Sequence, residues 1–116
     1  MSKKEGFIPA FESELSLDDR SKILARVSLN QINRFLMSVY MYTIEMGDEE
    51  VFEVDENFRE KLGLDDWHTV NVARLLVADG FLEAYCVRGE EKTNRVYRYL
   101  KLTPLGRMYC EKNSLV

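Results

Sequence analysis

His68, Asn71 and Arg74 recur at intervals of three residues in the segment DDWHTVNVARLLVADG. That spacing lines side chains along one stripe of a helix. Each of the three types can read a base edge: asparagine pairs bidentately with adenine, arginine with guanine, and histidine donates or accepts a single hydrogen bond. With Thr69, Val72, Ala73 and Leu76 in the core register, the stripe is expected to face outward. Ordinary solvated side chains on an exposed helix face would show the same pattern, and the residues alone leave both readings open.

A second group lies about twenty residues downstream of the first. Lys92 and Arg95 supply positive charge, and Thr93 and Asn94 supply hydrogen-bond donors, the equipment needed to hold phosphate oxygens. Glu90 and Glu91 share the same tip and would repel phosphate. Asp65 and Asp66 precede the helix where a free N-terminus would otherwise attract an anion. Trp67, beside them, is expected in the core or as a lid; exposed, it would suit a protein interface.

The elements that must carry these groups can be read from their boundaries. Ser16 is placed to cap a helix with Asp18 and Asp19 in its first turn and Ile23, Leu24 and Val27 on its apolar face. Ser28 and Gln31 form a capping box that opens a longer helix, expected to reach Met46 before Gly47. That helix is apolar on more than one side, which fits central burial or contact with a second subunit. Glu50–Asp55 reads as a short strand, Asp55 as the cap of a helix ending at Leu62, and Asp65 or Asp66 as the cap of the helix that ends before Gly80. Leu82–Arg88 and Arg95–Leu102 read as a hairpin with its tip at Gly89–Asn94. Leu100 and Leu102 are expected on one side, with Tyr97, Tyr99 and Lys101 on the other. Thr103 and Pro104 then open a closing helix.

Two blocks carry a resemblance. Leu76-Val77-Ala78-Asp79-Gly80-Phe81-Leu82 is similar to the L-x-x-x-G-hydrophobic-hydrophobic pattern, and Tyr99-Leu100-Lys101-Leu102-Thr103-Pro104-Leu105-Gly106 to the Y-x-L-T-x-x-G pattern, of winged helix-turn-helix proteins. Over roughly Leu29–Asn113 the chain resembles small prokaryotic regulators of the MarR and PadR types. The resemblance implies an α+β fold: a three-helix core with a small antiparallel sheet and wing. To this the chain adds an extra N-terminal helix and a short C-terminal one. Residues 1–15 are expected to form a flexible arm, and residues 16–116 the domain with its helical extension.

The formal net charge is −4. Arg88, Lys92, Arg95, Arg98, Lys101 and Arg107 against Glu90 and Glu91 make the hairpin segment +4, which leaves −8 on the rest. A positive wing on an acidic body is weaker than the basic footprint of a typical nucleic-acid binder. With 46% hydrophobic residues the chain can build a core. No apolar run reaches the roughly 18 residues of a membrane span, and MSKKEGFIPAFESE has no cleavable apolar core, so a cytoplasmic protein is expected. Cys86 and Cys110 fit no zinc motif and are expected as reduced thiols. No phosphate loop, metal-ligand cluster or nucleophile elbow is present, so neither an enzyme nor a cofactor is expected. Two functions stay open. One is a DNA-binding transcriptional regulator, expected as a homodimer on double-stranded DNA, using His68, Asn71, Arg74, Lys92, Thr93, Asn94 and Arg95. The other is a winged-helix module that binds another protein, such as a phage or plasmid accessory protein.

Overall fold

A computed structural model describes residues 6–10, 15–90 and 97–113. The tip residues Lys92, Thr93, Asn94 and Arg95 lie outside the described residues. Five helices and a small antiparallel sheet make an α+β arrangement among the described residues. In chain order they are β1 (Phe7–Pro9), α1 (Leu17–Leu24), α2 (Leu29–Met46), β2 (Phe52–Glu53), α3 (Glu56–Leu62), α4 (Asp66–Ala78), β3 (Leu82–Val87), β4 (Tyr99–Leu102) and α5 (Pro104–Lys112).

Each helix begins where a short polar side chain can satisfy a backbone N–H that the helix itself leaves orphaned. Ser16, Ser28, Asp55, Asp65 and Thr103 each accept from the amide three residues on. At Ser28 the box is complete, because Gln31 Oε1 in turn accepts from the Ser28 amide at 2.8 Å. Gly63 ends α3 in the left-handed conformation (φ 68°), a backbone that glycine adopts without a Cβ penalty.

The sheet order is β1-β3-β4-β2, all neighbours antiparallel. Leu82 faces Leu102 and Ala84 faces Leu100, so the inward side of the hairpin packs on the helices. Phe35, Leu36 and Val39 of α2, Val72 and Leu76 of α4, Leu82, Leu100 and Cys110 form the fully buried centre. Phe35, Phe58 and Phe52 stack edge to face in sequence, joining α2, α3 and β2. At the far side α5 packs so closely on the turn between α4 and β3 that a Cβ on Gly106 would collide with the Phe81 carbonyl oxygen.

Three expectations need correction. The arm expected to be flexible supplies strand β1, whose register sets Phe7 opposite Val87 and Pro9 opposite Tyr85. Proline is tolerated there because β1 is an edge strand, and Phe7 packs its ring against Tyr99 at 4.8 Å. Leu24 is exposed, while Ile23 and Val27 are buried; α1 stops at Leu24, and the turn that follows brings Val27 inward. Tyr97 is buried rather than on the outer side of the hairpin. It lies just before β4 with φ 64°, which takes it out of the strand's alternation. No helix among the described residues is long and apolar enough to cross a membrane.

Candidate functional site

The helix α4 is held by its buried side, where Thr69, Val72, Ala73, Leu75 and Leu76 pack into the core. Its remaining surface divides into two flanks with different surroundings.

The first flank carries His68, Asn71 and Arg74, and it faces α1 instead of open solvent. Ile23 of α1 is buried in this contact region, and polar groups close it along its length. Arg20 makes a forked ion pair with Asp79, Nη2 to Oδ1 at 2.6 Å and Nη1 to Oδ2 at 3.4 Å. Arg74 Nη2 lies 3.4 Å from Asp19 Oδ2. At the other end the Arg26 guanidinium stands 5.2 Å from the Trp67 ring centroid. The pairings run Asp19 and Arg20 to Arg74 and Asp79, then Arg26 to Trp67 and His68, so the two helices are antiparallel. Between them lies a cleft of about 480 Å³ lined by Ile23, Arg26, Trp67, Asn71 and Arg74 among others.

Each residue of the stripe therefore has an internal partner. The two ring nitrogens of His68 stand 2.8 Å from Asp65 Oδ1 and 3.2 Å from the Arg26 carbonyl oxygen. Asn71 Nδ2 donates to the Trp67 carbonyl at 2.9 Å, one turn back along its own helix. Arg74 is engaged by Asp19. The expected outward stripe is thus the seam between α1 and α4. The core register holds for the buried side, while α1 lies along the outer side and leaves His68, Asn71 and Arg74 only partly exposed, the last two at the cleft between the two helices. Asp65 is tied to the same seam: its carboxyl accepts from the His68 backbone amide at 2.7 Å as well as facing the ring. These hydrogen bonds, the backbone one foremost, hold its pKa below the ordinary carboxylate value.

The second flank is open. Asp66 and Val70 project from α4 toward β2 and α3, and Val70 is 40% exposed. They border a cleft of about 730 Å³ whose walls include Val54, Tyr97, Glu53, Asp55, Glu56, Arg59 and Arg98. Both cations there are already matched: Arg59 pairs with Asp66, and Arg98 pairs with Glu53 at 3.0 Å. Asp55 is occupied as the cap of α3. Four carboxylates against two guanidiniums leave the rim net acidic.

Some cations of the hairpin region are also spoken for. Arg98 is held by Glu53, Arg107 lies 3.4 Å from Asp48, and Lys101 sits 5.6 Å from the Tyr85 ring centroid. Arg88 is exposed.

Sequence reading missed the seam partners Asp19, Arg20 and Arg26 and the open-flank residue Val70. For the first three no local signal exists, since Arg20 and Asp79 are 59 positions apart. Val70 did leave a trace, because it is an apolar residue out of register with the core positions Thr69, Val72, Ala73 and Leu76. Among the described residues no group of three His, Cys, Asp or Glu side chains could hold a metal ion. No protein-family model, curated protein or solved structure matches the chain.

Proposed function

We propose that this chain is a winged-helix module that docks a protein partner presenting basic residues. Support for the winged-helix reading is the run α2, β2, α3, α4, β3, β4, with β2 paired to β4 and β4 to β3. The observation that carries the docking reading is the open flank of α4. Where a base-reading helix would present donors, it offers an anion, Asp66, and an apolar side chain, Val70, beside an acid-rimmed cleft. A duplex approaching that flank would meet a net negative rim, four carboxylates against two guanidiniums, whereas a lysine- or arginine-bearing segment would meet its complement. Val54 and Val70 give such a segment an apolar surface to bury.

The second reading is a DNA-binding regulator that grips through the hairpin. It is favoured by the +4 charge of the Arg88–Arg107 segment. Under it Lys92, Thr93, Asn94 and Arg95 hold the backbone, and His68, Asn71 and Arg74 reach bases only after α1 has moved away.

One experiment separates the two. The purified protein is titrated with fluorescent random duplex DNA and with arrays of basic and acidic peptides, at about 50 and 200 mM salt. The docking reading expects selection of basic peptides with an apolar residue, lost in Val70→Lys, which removes the apolar contact and sets like charge against the peptide, and no duplex binding at the lower salt. Salt-sensitive duplex binding by the wild type that survives Val70→Lys and falls in Arg88→Ala supports the DNA reading and overturns the docking one.

A further inference from the structure

A different face, on α2, is self-complementary. Most of α2 is enclosed: Phe35, Leu36, Val39, Tyr40 and Thr43 are buried. Its outer side nonetheless carries large apolar groups. Met41 and Ile44 are both 49% exposed, and Met37, one turn before Met41, is half-buried. The spacing of 37, 41 and 44 places the three on one helical stripe. The helix α5 is fastened beside α2 by the Tyr40 hydroxyl donating to Glu111 at 3.0 Å and by Arg107 meeting Asp48. It exposes Leu105 and Met108 in turn.

Charge identifies the occupant. The same side of α2 has the exposed Arg34 toward its start and the exposed Glu45 toward its end. Arg34 reaches only the Lys61 carbonyl, at a marginal 3.5 Å, and Glu45 forms no ion pair among the described residues. A helix with a cation at one end and an anion at the other end of one stripe complements a copy of itself in the antiparallel sense alone. The helix dipoles favour the same orientation.

We infer that this face binds a second copy of the chain, with the two α2 helices antiparallel about a two-fold axis near Val39. In this register Met37 of one copy lies over Met41 of the other, and Arg34 of each stands beside Glu45 of its mate. The contact is isologous, so it closes at two subunits instead of propagating. The rise of 1.5 Å per residue makes α2 about 27 Å long, enough for both charge pairs to form at once. The inference uses no residue of the α4 flanks, so it stands or falls apart from the docking proposal.

Sedimentation equilibrium across a concentration series tests it, with wild type, Met41→Glu, Arg34→Glu and the double variant Arg34→Glu/Glu45→Arg. Circular dichroism melts check that each variant is folded, as expected for exposed positions. Wild type should show a monomer–dimer equilibrium, and Met41→Glu should remain monomeric. Arg34→Glu should raise the dissociation constant about tenfold, since it sets two like-charge pairs across the interface. The double variant should recover to within about threefold of wild type, because exchanging the signs restores complementarity. A wild type that stays monomeric, a Met41→Glu protein that dimerises as well as wild type, or a double variant no better than Arg34→Glu overturns the inference.

Discussion

The two flanks of α4 differ in what their side chains are used for. On the α1 flank the residues with the richest hydrogen-bonding chemistry, His68, Asn71 and Arg74, are committed to the fold. On the β2 flank a plain valine and an aspartate stand open beside a cleft. The contrast shows that residue type does not assign a functional face on its own. A helix laid against α4 turns a face rich in hydrogen-bonding side chains into a structural seam and moves the accessible surface around the helix.

The strongest way to break this comparison is to detach α1. Ile23 is nearly inaccessible (3% exposed) and is the apolar anchor of that helix. Ile23→Ala is expected to lower stability by about 2–4 kcal/mol, the usual range for emptying a buried aliphatic site. Urea unfolding followed by circular dichroism gives the number. A loss under about 1 kcal/mol would mean that α1 is only loosely docked and that the stripe is effectively free.

The polar part of the seam should contribute less. Arg20 and Asp79 are roughly a third exposed, so their fork is screened by solvent despite its geometry. A double-mutant cycle with Arg20→Ala and Asp79→Ala is expected to return a coupling of about 0.5–1 kcal/mol. Arg74→Ala, which removes a longer contact to Asp19, should lie at or below the lower end of that range. Coupling indistinguishable from zero would assign the seam wholly to Ile23 and its apolar neighbours.

How far the sequence foretold this arrangement follows from the range of each interaction. Caps act over three residues, so Ser16, the Ser28–Gln31 box, Asp55 and Thr103 are legible in the sequence, and the Asp65–Asp66 pair locates the start of α4 without deciding that Asp65 is its cap. Core register is likewise local, and Thr69, Val72, Ala73 and Leu76 fell as their periodicity required. What could not be read was which element lies over which. The meeting of Arg20 with Asp79 and the pairing of Ile8 with Cys86 join positions that share no local pattern. The outward orientation of His68, Asn71 and Arg74 was inferred from the core alone, as though nothing further packed on α4. Tyr97 escaped for a different reason: a single left-handed residue reverses the alternation on which the hairpin reading relied.

Acid should expose the same seam. The Asp65 pKa is lowered in the folded protein relative to its ordinary value of 3.8, first by the His68 amide and then by the His68 ring. A depressed folded pKa means that the unfolded chain takes up the proton more readily. The resulting stabilisation is present above about pH 4 and is lost as pH falls through the folded value. Asp65→Asn keeps an N-cap acceptor but removes the titration. Stability measured between about pH 6 and 3 should therefore fall less steeply in the variant than in wild type. Parallel profiles would show that the carboxylate's bonds to His68 do not favour the folded state.

The smallest effect is expected on the open flank, and it bears most directly on what that flank is for. Val70→Thr keeps the branched shape, and the two residues have similar helix propensities. With 40% of Val70 exposed and its outer side turned to solvent, the added hydroxyl can hydrate without being buried. Stability should change by no more than about 0.5 kcal/mol, within the usual range for surface substitutions. A docked partner would bury that hydroxyl against an apolar contact, so affinity for a basic peptide should fall while the melt stays put. A loss of stability above about 1 kcal/mol would place Val70 among the packing residues and leave α4 with no open flank. An unchanged melt with unchanged peptide affinity would keep the flank open but remove Val70 from the contact, leaving the acidic rim of Glu53, Glu56 and Asp66 to account for recognition alone.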